Sequence, residues 1–321
     1  MYVVLGATGN TGSVAARKLL ERGEKVRAVG RDAGKLAQFF PVGGSSVVKS
    51  GAEPGTGADA GSQMETAVAD ASDAAALTRT FEGATAAYVL LPPRAKDPEL
   101  LASGDKMSTA ITEAIRASGI SHVVLLSSLG AQHEKKTGPI LALHAFEEKL
   151  KRVPNLNALF LRPAIFFENF LMLIPLVRSM GFLAGGIDGD LKIPQIATRD
   201  IGEAAAEALQ KRDFSGITTR ELHGRRNLSH NEAAKAIGAV IGKPKLSYKH
   251  FPAFLLEQGM KQMGIPGKTA SLMSELNEAV NDGRLKPLEE RTEKNTTATS
   301  IEDWAREVFA AAYNAKATAG D

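Results

Sequence analysis

The stretch Gly6-Ala7-Thr8-Gly9-Asn10-Thr11-Gly12 has the residue types and spacing to hold a pyrophosphate. Its glycines permit a tight turn and a close approach of backbone to phosphate. The helical run that follows, Ser13 to Leu20, would offer unpaired N–H groups and the positive end of its dipole. The form is GxxGxxG rather than GxGxxG, and such a motif alone is weak evidence. A short apolar strand before it and a helix after it make it a dinucleotide site, with Gly6, Thr8, Gly9, Asn10, Thr11 and Gly12 as its contacts. The alternative is a glycine-rich turn that binds nothing.

Eighteen residues beyond Gly12, the next apolar run ends in Gly30-Arg31-Asp32, where an NAD site normally places an acid on the ribose hydroxyls. Here that position is glycine and Arg31 follows it. A guanidinium suits a 2′-phosphate by bidentate contact, and Lys35 lies one helical turn further on as a second cation. The expected cofactor is therefore NADP(H); the alternative leaves Arg31 and Lys35 as solvated charges and Asp32 as a helix N-cap rather than a ribose ligand. Asp70, closing Val68-Ala69-Asp70, either reaches the adenine amino group or caps the next helix.

These residues need a sheet to hold them. Strands are expected at Tyr2–Leu5, Lys25–Val29, Glu65–Ala69, Thr85–Leu91, His122–Ser127, Ala158–Leu161 and Arg220–His223. Helices are expected at Thr11–Arg22, Gly34–Phe40, Asp73–Glu82, Pro98–Ser118, Gly138–Arg152 and Asp200–Lys211. That alternation predicts an α/β fold, a doubly wound parallel sheet of the Rossmann type. Gly43 to Gly61 holds six glycines in nineteen residues and reads as a mobile insertion. Further helices are expected at Phe166–Met180, Ser229–Ile241, Phe251–Gly264, Thr269–Asn281 and Ile301–Ala315. Residues 1–165 should thus form the cofactor-binding domain, with a returning segment near 190–228. Residues 166–321 should form a smaller, mostly helical lobe for substrate or partner.

Composition narrows the classes. At 321 residues core size is not limiting. A net charge of +3 is too small for a nucleic-acid partner, and zero cysteines exclude disulfides, thiolate metal sites and a cysteine nucleophile. The six histidines form no HExxH or i,i+4 pair and there is no GxSxG elbow, so neither a metal nor serine hydrolysis is expected. The chain enters an apolar strand at once, and its longest apolar run, Phe170 to Val177, is far below bilayer-spanning length. A cytoplasmic, non-membrane protein, monomer or homodimer, is expected.

Together, Gly6–Gly12, Gly30-Arg31-Asp32, Leu91-Pro92-Pro93, Ser127-Ser128, His144 with Glu148, Leu161-Arg162-Pro163 and Glu168-Asn169-Phe170 resemble the NmrA-like atypical short-chain dehydrogenases/reductases over nearly the whole chain. The resemblance implies either an NADPH-dependent reductase of quinones, dyes and related acceptors or a protein that binds NADP(H) as a redox sensor and regulates a partner. Typical relatives use Tyr-x-x-x-Lys after the fifth strand, the tyrosine passing the proton. None of Tyr2, Tyr88, Tyr248 and Tyr313 lies there. Aligning Glu148 with the carboxylate four residues past that lysine puts His144 at the lysine position and Ile140 at the tyrosine position.

His144 then holds the nicotinamide ribose or titrates as an acid. Ser127 or Ser128 faces the nicotinamide or satisfies the strand-end backbone, with Ser128 the catalytic candidate. Leu91 and Pro92 line the middle of the cofactor or form a rigid turn, and the resemblance adds Pro163 to the cofactor contacts. The aromatic segment after the sixth strand offers a flat acceptor something to stack on, with Phe166 and Asn169 as substrate candidates; packing against the lobe is the alternative. With Ile140 unable to pass a proton, the expected reaction is hydride transfer from NADPH to a flat, electron-poor small molecule such as a quinone, enone or dye.

Overall fold

Short runs rich in Val, Leu and Ala become strands buried on both faces, as parallel sheets covered by helices require. In the computed structural model, which describes residues 1–41, 47–48 and 63–315, the order begins β1 (Tyr2–Leu5), α1 (Asn10–Glu21), β2 (Val26–Gly30), α2 (Ala33–Phe39), β3 (Val47–Val48), β4 (Met64–Val68) and α3 (Ala74–Phe81). It continues with β5 (Ala86–Val89), α4 (Leu100–Ser118), β6 (His122–Leu126), α5 (Ile140–Leu150) and β7 (Asn157–Pro163). The chain then passes through β8 (Ile165–Phe166), a 3₁₀ segment (Phe167–Leu173), α6 (Ile174–Met180), β9 (Phe182–Gly185), β10 (Ile193–Ile196), α7 (Thr198–Lys211) and β11 (Ile217–Leu222). The rest comprises β12 (Asn227–Leu228), α8 (His230–Val240), β13 (Ser247–His250), α9 (Ala253–Gln262), α10 (Gly267–Asn281), α11 (Ile301–Trp304), a π turn (Ala305–Phe309) and α12 (Ala310–Asn314). The proposed insertion at Gly43 to Gly61 lies outside the described residues apart from Val47–Val48.

The main sheet runs β11-β7-β6-β5-β1-β2-β4-β3 with parallel pairings throughout, so the expected doubly wound sheet is present. Its order reverses between β1 and β5, and the crevice at the carboxyl ends there is where such sheets place ligands. One apolar layer joins the sheet to α1 and α7 through Leu19, Ile201 and Ala205. The other joins it to α3, α4 and α5 through Leu77, Ile111 and Phe146. α7 sits so close to α1 that a Cβ at Gly202 would lie 2.6 Å from the Thr11 carbonyl oxygen.

The lobe has its own core around Phe167, Phe170, Ile237 and the buried Trp304. Two small sheets, β12-β10-β8 and β13-β9, run beside its helices. One expectation is corrected. Phe166–Met180 is not one helix: the 3₁₀ turn brings residues three apart into register, so Phe167 and Phe170 both point into the core, and α6 restarts with Pro175 at its head. His230 lies tilted over Tyr248 and edge-on to Phe170; burial pushes its imidazole down to about 4, so it packs as a neutral ring.

Candidate functional site

At the carboxyl end of β1, Gly6 takes φ +70°, a left-handed conformation that favours glycine, and Gly9 N–H donates to Gly6 O at 2.9 Å to close the turn. A Cβ on Gly12 would lie 2.3 Å from that same Gly6 oxygen, so only glycine lets α1 start against the turn. No side chain caps α1 at Gly9, and its first internal bond is Ser13 N–H to Gly9 O at 3.0 Å. The helix start thus keeps its donors for a ligand. The Thr11 hydroxyl is buried and accepts from Tyr88 Oη at 2.8 Å, so Thr11 offers a ligand its backbone N–H. Thr8 is half-buried, and Gly9 and Asn10 are exposed beside it.

Arg31 follows β2 with an exposed side chain, and Lys35 is exposed on the first turn of α2. Asp32 is the N-cap of α2, accepting from Lys35 N–H at 3.0 Å. Two exposed cations on neighbouring positions suit a phosphate ester. Asp70 accepts from Ser72 N–H at 2.8 Å and Ser72 Oγ at 2.6 Å, and Arg94 Nη2 lies 3.3 and 3.4 Å from its two oxygens. Partial burial disfavours its ionised form, but the Ser72 bonds and the Arg94 and Arg31 charges hold the carboxyl below its usual range. The cap of α3 is Asp73, accepting from Ala76 N–H, so the helix-cap alternative for Asp70 does not hold. Leu91 and Pro92 are half-buried just past β5.

On the other side of the crevice, α5 presents His144. Its Nδ1 donates to the Ala131 carbonyl at 2.9 Å, since a carbonyl can only accept, which leaves Nε2 for a ligand. Ile140 is buried at the head of the same helix. Tyr88 and Tyr248 are buried against Thr11 and the Ile187 carbonyl, with burial raising both phenols, so neither hydroxyl is a proton donor beside His144. Ser128 is half-buried and donates to Leu129 O at 2.9 Å. The lobe covers this side: α10 carries Glu275, whose carboxylate accepts from Gly138 N–H at 2.8 Å, and Thr269, which donates to Asp97 O at 2.6 Å.

Sequence reasoning did not find the network behind His144. Glu147, one turn further along α5 and 1% exposed, receives Arg162 Nη2 at 2.5 Å, Arg162 Nε at 2.9 Å and Ser127 Oγ at 2.6 Å. Arg162 Nη1 reaches Gln132 at 3.3 Å. One carboxylate therefore ties α5 to the ends of β6 and β7. Ser127 is committed to this network, and Pro163, next to Arg162, is buried.

The aromatic segment does not act as one stacking surface. Phe167 and Phe170 are buried against Trp304, and Glu168 is taken up by Thr198 N–H and Trp304 Nε1, both at 3.0 Å. Phe166 is half-buried and Asn169 exposed. Among the described residues no group of three or more His, Cys, Asp or Glu is arranged to hold a metal, and no helix is long and apolar enough to cross a membrane.

The family model described as NmrA-like family matches residues 2–305. An NAD(P)H azoreductase of Xenophilus azovorans is 26% identical over 278 residues, 86% of each chain. An NADPH-dependent quinone oxidoreductase from Escherichia coli, solved with NADPH, shares the fold with a TM-score of 0.75 at 20% identity, over 96% of this chain and 100% of that one. The triphenylmethane reductase of Citrobacter sp., complexed with NADP(H), gives 0.74 at 18% identity, over 95% and 99%.

Proposed function

This chain belongs to the NmrA-like family, and from that premise we propose that it is an NADPH-dependent reductase passing hydride to a flat, electron-poor small molecule such as a quinone, enone or dye. The observation that carries the proposal is the uncapped start of α1, closed down by Gly12, with Arg31 and Lys35 exposed beyond the neighbouring strand. The residues fit the cofactor. Backbone N–H groups of Asn10 to Gly12 would hold its pyrophosphate, Arg31 and Lys35 its 2′-phosphate, and Asp70, Leu91 and Pro92 its adenosine and middle. His144 and Pro163 would hold its nicotinamide half, with Ser128 beside the acceptor and Phe166 and Asn169 at the acceptor's edge. When bound, the nicotinamide supplies hydride from C4.

His144, fixed by Ala131, would accept a ribose hydroxyl at Nε2. Ile140 stands where a tyrosine acid would be and holds no proton to give. An acceptor that delocalises or neutralises the incoming charge needs no strong acid, whereas a simple ketone builds a localised alkoxide and does. The azo, quinone and triphenylmethane acceptors in the relatives' names support the same class. The test is NADPH oxidation followed at its nicotinamide absorbance across a panel of quinones, azo and triphenylmethane dyes, enones and plain ketones. Turnover of the conjugated acceptors with ketones inert is expected; rapid ketone reduction with the others inert would overturn it. Tight NADP(H) binding with no oxidation anywhere would favour the second reading, a regulatory NADP(H)-binding protein, which the lack of a tyrosine acid also permits.

Two substitutions examine the assignments separately. Arg31→Ala should weaken NADPH binding by about 1–3 kcal/mol while leaving NADH nearly unchanged, because one charge-assisted contact is lost. Equilibrium titration of both cofactors decides it, and equal losses would remove Arg31 from the 2′-phosphate. His144→Gln keeps a hydrogen-bond acceptor but cannot titrate. As a ribose holder it should keep the wild-type shape of rate against pH between 5 and 8. A limb of the profile lost in the variant would instead make His144 a proton donor.

A further inference from the structure

Asp70 follows β4 and Arg94 follows β5, and in the sheet β1 and β2 lie between those two strands. With neighbouring strands about 4.8 Å apart, three spacings separate them by roughly 14 Å. The Arg94–Asp70 ion pair therefore reaches across the carboxyl ends of β1 and β2, which carry the glycine turn and Arg31. The pair is loose. Its contacts of 3.3 and 3.4 Å exceed the 2.7–2.9 Å usual for charge-assisted bonds. Asp70 Oδ1 is already occupied by the Ser72 N–H and hydroxyl. Among the described residues the guanidinium has no hydrogen-bond acceptor but Asp70, so little in the protein competes for it with a ligand in the crevice.

We infer that Arg94 is a cofactor-binding residue, its planar guanidinium held edge-on by Asp70 so that it covers the adenine of the bound dinucleotide. This deepens the cofactor assignment above and rests on it. Guanidinium groups stack on aromatic faces, and Arg94 stands on a loop stiffened by Pro92 and Pro93, with Asp97 N–H closing a turn onto its carbonyl at 2.8 Å. Its side chain is thus delivered from the opposite strand to Arg31, and it recognises the base rather than the 2′-phosphate. Both NADPH and NADH carry that base, so the contact adds affinity without choosing between them.

The test compares three ligands on wild type, Arg94→Met and Arg94→Lys by equilibrium titration: NADPH, NADH and reduced nicotinamide mononucleotide, which lacks the adenosine. Arg94→Met should weaken NADPH and NADH by the same factor, about tenfold, and leave the mononucleotide unchanged. Arg94→Lys, which keeps the charge but not the plane, should recover only a minor part of the loss. A loss confined to NADPH would move Arg94 to the 2′-phosphate and overturn the inference. So would an equal loss for the mononucleotide, which would make Arg94 a structural support, or no loss at all. If wild type bound neither dinucleotide, the cofactor assignment itself would fall, an outcome distinct from each of these.

Discussion

Glu147→Ala is expected to cost about 3–5 kcal/mol of stability, because it strands the Arg162 guanidinium in a buried site with no carboxylate. The shift in urea unfolding midpoint at unchanged slope measures it. The double variant Glu147→Leu with Arg162→Leu should be more stable than Glu147→Leu alone, since no lone charge remains buried. A loss for Glu147→Ala within 1 kcal/mol of wild type would show that Arg162 finds another partner and that the network does not hold α5. Activity should fall as well, as the same carboxylate joins the helix of His144 to the strand ends carrying Ser127 and Arg162.

Gly12→Ala should abolish detectable dinucleotide binding and also cost stability, on the order of 1–3 kcal/mol or more. The added Cβ would meet Gly6 O at 2.3 Å and Gly6 C at 2.8 Å, both backbone atoms in a turn that cannot rotate away. Either α1 lifts from the turn or the turn opens, and in both cases the donors at the helix start lose their alignment. Cofactor titration together with circular dichroism separates the effects: a folded variant with no NADPH binding is the expected result, and full affinity would show that the motif is only a turn.

The glycine turn was legible because its form is local: a strand, a turn and a helix lie within some twenty residues, and the end of β2 fixes where Arg31 stands. Glu147 and Arg162 carry no such signal. They are fifteen residues apart on a helix and a strand, and any charged pair on such elements reads as surface until the sheet shows both inside. Arg94 and Asp70 stand 24 positions apart and meet only because strand order differs from chain order. In the lobe, Phe166 to Met180 kept the apolar spacing of a helix, but three-residue register around Phe167 and Phe170 and the proline at the head of α6 divide it. The strands at 182–185, 193–196 and 247–250 are too short, and too rich in polar residues or glycine and proline, for alternation to announce them.

The packing of α7 onto α1 sets an order of events during synthesis. The helix that covers the glycine turn and α1 is made roughly 200 residues after them, which at ordinary translation speed is about 10–40 s. β7 likewise waits for β11 before its free edge is paired. For that interval the nascent chain carries an uncovered apolar helix face and an open strand edge, the two features that chaperones bind and that drive misassembly. A ribosome paused before residue 198 would hold a chain that has its glycine turn in full yet lacks the helix that braces it.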